Sequence, residues 1–144
     1  MKARITIKKI SSEKELEQAF RIRVRVFVGE QGVPAELELD DDDKRALHLL
    51  AFIGTRAVGT ARIVMRDHLA KIGRMAVLKS HRRKKVGKKL LKRALTTAKK
   101  QGAWKIYLHA QVPVVGFYES AGFRCVGPVF EEAGIAHRKM VLKD

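Results

Sequence analysis

From residue 86 onward, Val86, Leu90, Leu91, Ala94, Leu95 and Ala98 fall on one helical face, and Lys88, Lys89, Lys92, Arg93, Thr96 and Lys99 fall on the other. That spacing predicts an amphipathic helix over 86–101, ended by Gly102. Residues 72–78 are largely apolar, as a buried strand would be. The chain between them is a basic turn. Upstream, Ile5, Ile7 and Ile10 alternate with polar neighbours and predict a first strand. Ser12 and Glu15 have capping-box spacing, so a helix starts at Glu13. The segment that follows is ambiguous. Leu16, Ala19, Phe20 and Phe27 fit a helical face, yet Ile22, Val24, Val26 and Val28 alternate with Arg21, Arg23 and Arg25 as a strand would. The cap and the preceding heptad decide for helix.

Residues 29–45 hold Gly29, Pro34 and an acidic run from Glu36 to Asp43, and predict a loop that admits a helical turn. Strands are expected at 46–53, 58–66 and 70–78, joined by turns at 54–56 and 67–68, as an antiparallel trio that ends at the basic turn. A strand at 104–110, a short helix at 114–121 closed by Gly122, a strand at 123–129, a turn at 131–134 and a last strand at 135–142 complete the chain. This order is that of an α/β domain with a mixed central sheet flanked by helices. The 144 residues are expected to form one domain, 1–144, with a full hydrophobic core.

Composition narrows the class. No apolar run approaches the roughly 20 residues of a membrane span. The first residues lack the apolar core of a signal peptide. A single cysteine, Cys125, excludes an intramolecular disulfide and a multi-cysteine zinc site, and reads as a buried apolar residue. A cytoplasmic location is the expectation. The net charge of +16 favours polyanionic partners, whether nucleic acid, anionic lipid or a phosphate-rich cofactor, without choosing among them.

The basic turn carries the first chemistry. A helix N-terminus presents unpaired N–H groups and a partial positive charge. Gly87 lets an anion approach the backbone there, and Arg82, Arg83, Lys84, Lys85, Lys88 and Lys89 surround it with positive charge. The stretch is built to hold an anion, and a pyrophosphate suits it; weighed against this is a solvated basic helix after a buried strand. Arg82-Arg83-Lys84-Lys85-Val86-Gly87 resembles the Arg/Gln-x-x-Gly-x-Gly/Ala pyrophosphate loop of the GNAT superfamily, the GCN5-related N-acetyltransferases. Arg82, Val86 and Gly87 fit, whereas Lys85 stands where glycine is usual. A lysine is expected to keep its N–H on the anion only at negative φ.

A second motif strengthens the resemblance. Phe117-Tyr118-Glu-Ser-Ala-Gly122-Phe123 is similar to the family's Phe/Leu-Tyr-x-x-x-Gly-Phe, one helix after the strand that follows the loop. The segments 25–43, 48–51, 108–111 and 134–140 resemble a subgroup of small GNAT acyltransferases without an assigned substrate. The resemblance implies a GNAT fold in which two parallel strands, here 70–78 and 104–110, splay into a wedge for acetyl-CoA. It implies backbone binding of the pantetheine arm by Met75, Ala76 and Val77, with one N–H of this segment polarising the thioester carbonyl. Gln111 replaces the Asn with which many members contact the cofactor. Tyr118 is implied as the acid that protonates the departing thiolate, a task a neutral phenol can perform. The reading of the residues alone makes Tyr118 a packed side chain, and Phe117 and Phe123 core.

The implied reaction moves an acetyl group from acetyl-CoA to a primary amine within a ternary complex, without a metal. The amine must lose a proton. Many members use a Glu on the strand before the loop, but that strand reads Lys71-Ile-Gly-Arg-Met-Ala here. Glu30, Glu36, Asp40, Asp43, His48, His109 and His137 are candidates for the base. His109 and His137, on strands expected to neighbour each other near the wedge, rank first, followed by Glu30. The acidic run at 36–43 reads either as a binder of cationic acceptors or as a solvated loop offsetting Arg21, Arg23 and Arg25; the second is preferred, and its spacing is not that of a calcium loop. The alternative for the whole chain is a non-catalytic GNAT-fold module that binds CoA or nucleic acid. With six Phe, two Tyr and one Trp, mostly at core positions, no platform for stacking bases is expected. Homodimers are common in the family, and no motif here sets one.

Overall fold

The structure, a computed structural model, describes residues 4–82 and 85–143. It contains β1 (Ile5–Lys9), α1 (Glu13–Arg23), a π-helical continuation (Val24–Glu30), α2 (Ala35–Glu38), β2 (Leu47–Ile53), β3 (Arg56–Arg66) and β4 (Leu69–Val77). After the basic turn come α3 (Val86–Lys100), β5 (Lys105–Gln111), α4 (Val115–Ser120), β6 (Phe123–Glu132) and β7 (Ile135–Leu142). The seven strands form one sheet in the order β1-β2-β3-β4-β5-β7-β6. Its pairs are antiparallel except β4 with β5. This is the mixed α/β sheet expected.

The sheet is covered on both sides. Val86, Leu90, Leu91, Ala94 and Ala98 of α3 are buried with Leu49, Ala61, Ile63 and Ile72 of the strands. The fit is close at Gly59 of β3, where an added Cβ would stand 3.0 Å from Leu90 Cδ1 and 3.1 Å from Val86 Cγ1. Ala19, Ile22 and Val26 of α1 and its continuation pack with Leu50, Ala76 and Leu78. Ser12 caps α1, accepting from the Glu15 N–H at 3.2 Å, while Glu15 accepts from the Ser11 N–H at 3.0 Å.

The ambiguous segment is helical, with a change of pitch after Arg23. The Gln31 N–H reaches back five residues to the Val26 carbonyl at 3.1 Å. The helix expected from the cap is borne out, and the strand alternation is not: Ala19, Ile22 and Val26 are buried at helical spacing, Val24 is exposed and Arg23 is completely buried.

The acidic segment is neither a solvated loop nor an open cation trap. Glu38 is 2% exposed and accepts from Arg23 Nε at 2.8 Å. Asp43 accepts from Arg23 Nη1 at 2.7 Å and from Arg62 Nη1 at 2.9 Å. Asp40 pairs with Arg62 at 2.7 Å and with Arg74 at 3.2 Å. Arginines from α1, β3 and β4 thereby bind the segment to the sheet. The expected partners Arg21 and Arg25 are replaced by Arg62 and Arg74, which only the pairing of β3 with β4 brings near.

A buried ion pair is costly to break, because the survivor is left charged and dry. Arg23→Met is expected to destabilise the protein by about 3–5 kcal/mol in urea unfolding, with Glu38 and Asp43 stranded. Burial alone would raise the Asp43 carboxyl, but hydrogen bonds from Arg23 and the Asp40 N–H, with the Arg23 charge, bring it down from 3.8 to about 2. Asp43 therefore holds its proton less tightly folded than unfolded. Its contribution is complete above pH 3.8 and is lost as the pH falls toward 2. A pH series of unfolding curves should show that acid-side decline, and show it reduced in Arg23→Met.

Candidate active site

β4 and β5 pair only from Leu69↔Lys105 to Ile72↔Leu108. Beyond that point both strands continue, to Val77 and Gln111, without pairing. The separation coincides with a bulge. β4 spends one more residue than β3 between the Arg62↔Gly73 and Thr60↔Ala76 pairs, and Arg74 there has φ +49°. The extra residue bends β4, and beyond the last pair the strand edges face an open wedge. A cleft of about 940 Å³ fills this wedge.

One end of the cleft is the start of α3. Among the described residues no side chain caps this helix and no acid stands in its first turn, so its N–H groups and partial positive charge are open to a ligand. Gly87, Lys85 and Lys88 line the cleft here. Lys85 has φ +66° and ψ +14°, the left-handed conformation that glycine adopts without cost. This overturns the expectation of a negative φ: the lysine takes the glycine's backbone geometry, at roughly 1–2 kcal/mol. Among the described residues, an added Cβ at Gly87 would meet Phe117 at 3.5 Å and Val77 at 4.0 Å, both ordinary contacts.

Arg82 is fixed rather than reaching. Its Nε donates to the Val77 carbonyl at 2.9 Å and its Nη2 binds the Glu30 carboxylate at 2.9 Å. Arg82 lines the cleft, and Glu30 stands behind it in a second, smaller depression with Arg25 and Leu78. Glu30 is thus placed as a brace for Arg82, away from the other base candidates. Arg83 and Lys84, expected in the cradle, lie outside the described residues.

Met75, Ala76 and Val77 line the middle of the cleft along the parted edge of β4. Tyr118, from α4, directs its hydroxyl to Met75 Sδ at 3.8 Å. Burial raises this phenol to about 12, so it stays protonated at neutral pH. Gln111, at the end of β5, exchanges amide hydrogen bonds with Gln31, at 2.8 and 3.3 Å. That pair bridges β5 and the end of the first helical segment.

At the other end the structure joins residues that the sequence listed separately, and adds one. β5 pairs with β7, setting Gln111 opposite His137 and His109 two residues away on the same face. Glu132, at the end of β6, reaches both histidines. Its Oε1 lies 3.0 Å from His109 Nδ1 and its Oε2 3.8 Å from His137 Nε2. The hydrogen bond from His109 is the main cause that holds the Glu132 carboxyl down at about 2. An ionised carboxylate can only accept, so His109 donates from Nδ1. In the neutral ring Nε2 then keeps a lone pair and can take a proton. His137 Nδ1 donates to the Ile135 carbonyl at 2.7 Å, which sets its tautomer as well. Phe130 packs edge-on to His109 and stacks on His137. Glu132 escaped the sequence reading because 131–134 reads as a turn. The turn proper is only Ala133-Gly134, both at positive φ, and Glu132 is the last strand residue before it.

The remaining candidates are engaged elsewhere. Asp40 and Asp43 belong to the arginine network, and His48 donates from Nε2 to the Asp43 carbonyl at 2.9 Å beneath it. Burial lowers the pKa of His48. Glu36 is exposed and does not line the cleft. Among the described residues no group of His, Cys, Asp and Glu is arranged to hold a metal, and no helix is long and apolar enough to cross a membrane.

Comparison with known proteins shows the family. The model of the acetyltransferase (GNAT) domain matches residues 8–143, and the chain belongs to that family. It is 39% identical over 131 residues to the uncharacterized N-acetyltransferase YjcF of Bacillus subtilis, covering 90% of this chain and 94% of the relative. The crystal structure of Escherichia coli ElaA superposes with a TM-score of 0.86 at 32% identity, over 97% of this chain and all (100%) of the other. In fold the chain is also similar to a GNAT family acetyltransferase from Elizabethkingia anophelis solved with acetyl-CoA bound, at a TM-score of 0.71 and 17% identity, over 95% and 94% of the two chains.

The α3 start makes a direct test. Gly87→Val adds bulk at a helix start that lines the cleft. Calorimetric titration should show acetyl-CoA affinity lowered at least about tenfold, with thermal unfolding little changed. Unaltered affinity would remove Gly87 from the anion site.

Proposed function

We propose that the protein is an acetyl-CoA-dependent N-acetyltransferase that moves the acetyl group directly to a primary amine in a ternary complex. One observation carries this reading. A single cleft between parted parallel strands holds an uncapped helix start at one end, a protonated phenol in the middle and a carboxylate-oriented histidine at the other.

The parts divide the labour. The α3 N-terminus, with Lys85 and Lys88, suits the pyrophosphate. The unpaired edge of β4 over Met75–Val77 offers backbone groups to the pantetheine arm as a neighbouring strand would, and an N–H to the thioester carbonyl. Acetyl-CoA supplies the activated acetyl thioester. The amine nitrogen bonds to the acetyl carbon as the carbon–sulfur bond breaks. His109 Nε2 takes the proton that the amine must lose, with Glu132 stabilising the imidazolium formed. Tyr118 gives its proton to the departing sulfur, so the products are the acetamide and the CoA thiol. His137, with Nδ1 committed to the Ile135 carbonyl, stands beside the same carboxylate without a hydrogen bond to it. Gln31 and Gln111 stand where the two substrates would meet.

Lys85 takes the left-handed conformation that glycine enters without cost, so the lysine by itself does not argue for a different turn at this position.

Two kinetic results test the roles. Tyr118→Phe should lower kcat about a hundredfold while leaving the calorimetric Kd for acetyl-CoA within a factor of about two. Equal loss of both would make Tyr118 a packing residue. His109→Ala should lose a similar factor at neutral pH and regain rate as the pH nears the acceptor amine's own pKa, about 10 for an alkylamine. A loss independent of pH would exclude His109 as the base.

A further inference from the structure

The acceptor end of the cleft holds cations from β3 and β4. Arg62 is paired with Asp40 and Asp43. Arg74 donates from Nε to the Glu38 carbonyl at 3.1 Å and from Nη2 to Asp40 at 3.2 Å. Lys71 differs. It lines the same cleft and is half-buried, yet among the described residues no hydrogen bond or ion pair reaches its ammonium. Lys71 lies in register with Tyr107 of β5, so it shares a sheet face with His109, two residues on. The charged groups that act on it are Glu132, Arg62, Arg74 and Asp42. Glu132, the strongest of them, has its two oxygens turned to His109 and His137. Burial destabilises the Lys71 ammonium and lowers its pKa.

A half-buried charge without a partner is unfavourable unless a ligand supplies one. Resting on the transferase reading, we propose that the acceptor is an amino carboxylate, whose carboxylate binds Lys71 while its amine meets His109 and Glu132. The two ends of such a molecule match the cation of Lys71 and the His109–Glu132 pair, which line the same cleft. One unpaired cation suits a monoanion. A phosphate monoester, with a charge of about −1.5 to −2 at neutral pH, would exceed what it can balance. A polyamine would set a second ammonium against Lys71, and the acidic residues that might have received it already hold Arg23, Arg62 and Arg74. The cationic acceptor that the acidic run suggested is therefore disfavoured by charge as well as by position.

The test measures CoA release from acetyl-CoA with acceptors in matched sets: the common amino acids, their carboxamides, their decarboxylated amines, and aminoalkyl phosphates. Rates are compared per neutral amine, since removing the carboxylate shifts the amine's own pKa. With wild type, the best amino acid should exceed its carboxamide at least about tenfold in kcat/KM, the value of one charge-assisted contact. In Lys71→Met that ratio should collapse to about one, chiefly through KM. A wild-type ratio near one, a preference that survives Lys71→Met, or a preference for the aminoalkyl phosphate would each overturn the proposal. Transfer to simple amines or polyamines alone would overturn it and leave the transferase reading standing. No transfer to any amine, despite saturable acetyl-CoA binding, would overturn both.

Discussion

The site depends on one constraint: two parallel strands that start as neighbours cannot stay so. β4 and β5 share only the pairs from Leu69 to Ile72 before the bulge at Arg74 bends β4. Buried backbone groups need partners, and a parted strand in the middle of a sheet leaves a row of them facing a gap. Here that gap is the cleft. The surrounding elements are arranged about it. α3 begins where β4 leaves the sheet, α4 sets Tyr118 against Met75, and the β6–β7 hairpin carries Glu132 to the opposite side.

Keeping that gap open requires rigid walls, and ionic contacts supply part of one. The segment from α2 to β2 has little apolar surface to bury, with Leu37 and Leu39 both exposed. Its attachment comes from Glu38, Asp40 and Asp43 on Arg23, Arg62 and Arg74. Arg74 joins the two features, since the residue that makes the bulge also binds the acidic segment. Three carboxylates matched by three arginines leave the whole net charge of +16 to the rest of the chain.

Local pattern carried the helices and strands well. α3 was legible to within a residue, since its apolar stripe and Gly102 are strong short-range signals. The strands were legible from alternation and turn residues, with ends shifted by at most three positions. Val24–Glu30 was harder, because β-branched residues alternating with arginine satisfy strand periodicity, and the wider π turn matches neither template. The positive φ of Lys85 and of Arg74 had no signal, since neither residue type favours it. Such backbone is held by the pairing and packing around it.

By itself, then, the sequence determined the mixed α/β class, the basic turn at the head of α3, and Tyr118 on its short helix. Each is a short-range matter of periodicity, charge or neighbouring residues. Only the tertiary structure decided which carboxylates are held by arginine, that Glu132 faces His109 and His137, and that no hydrogen bond or ion pair reaches Lys71 among the described residues. These groups come from strands far apart in the chain. What they do depends on strand register, and a shift of one residue would turn each side chain to the other face of the sheet.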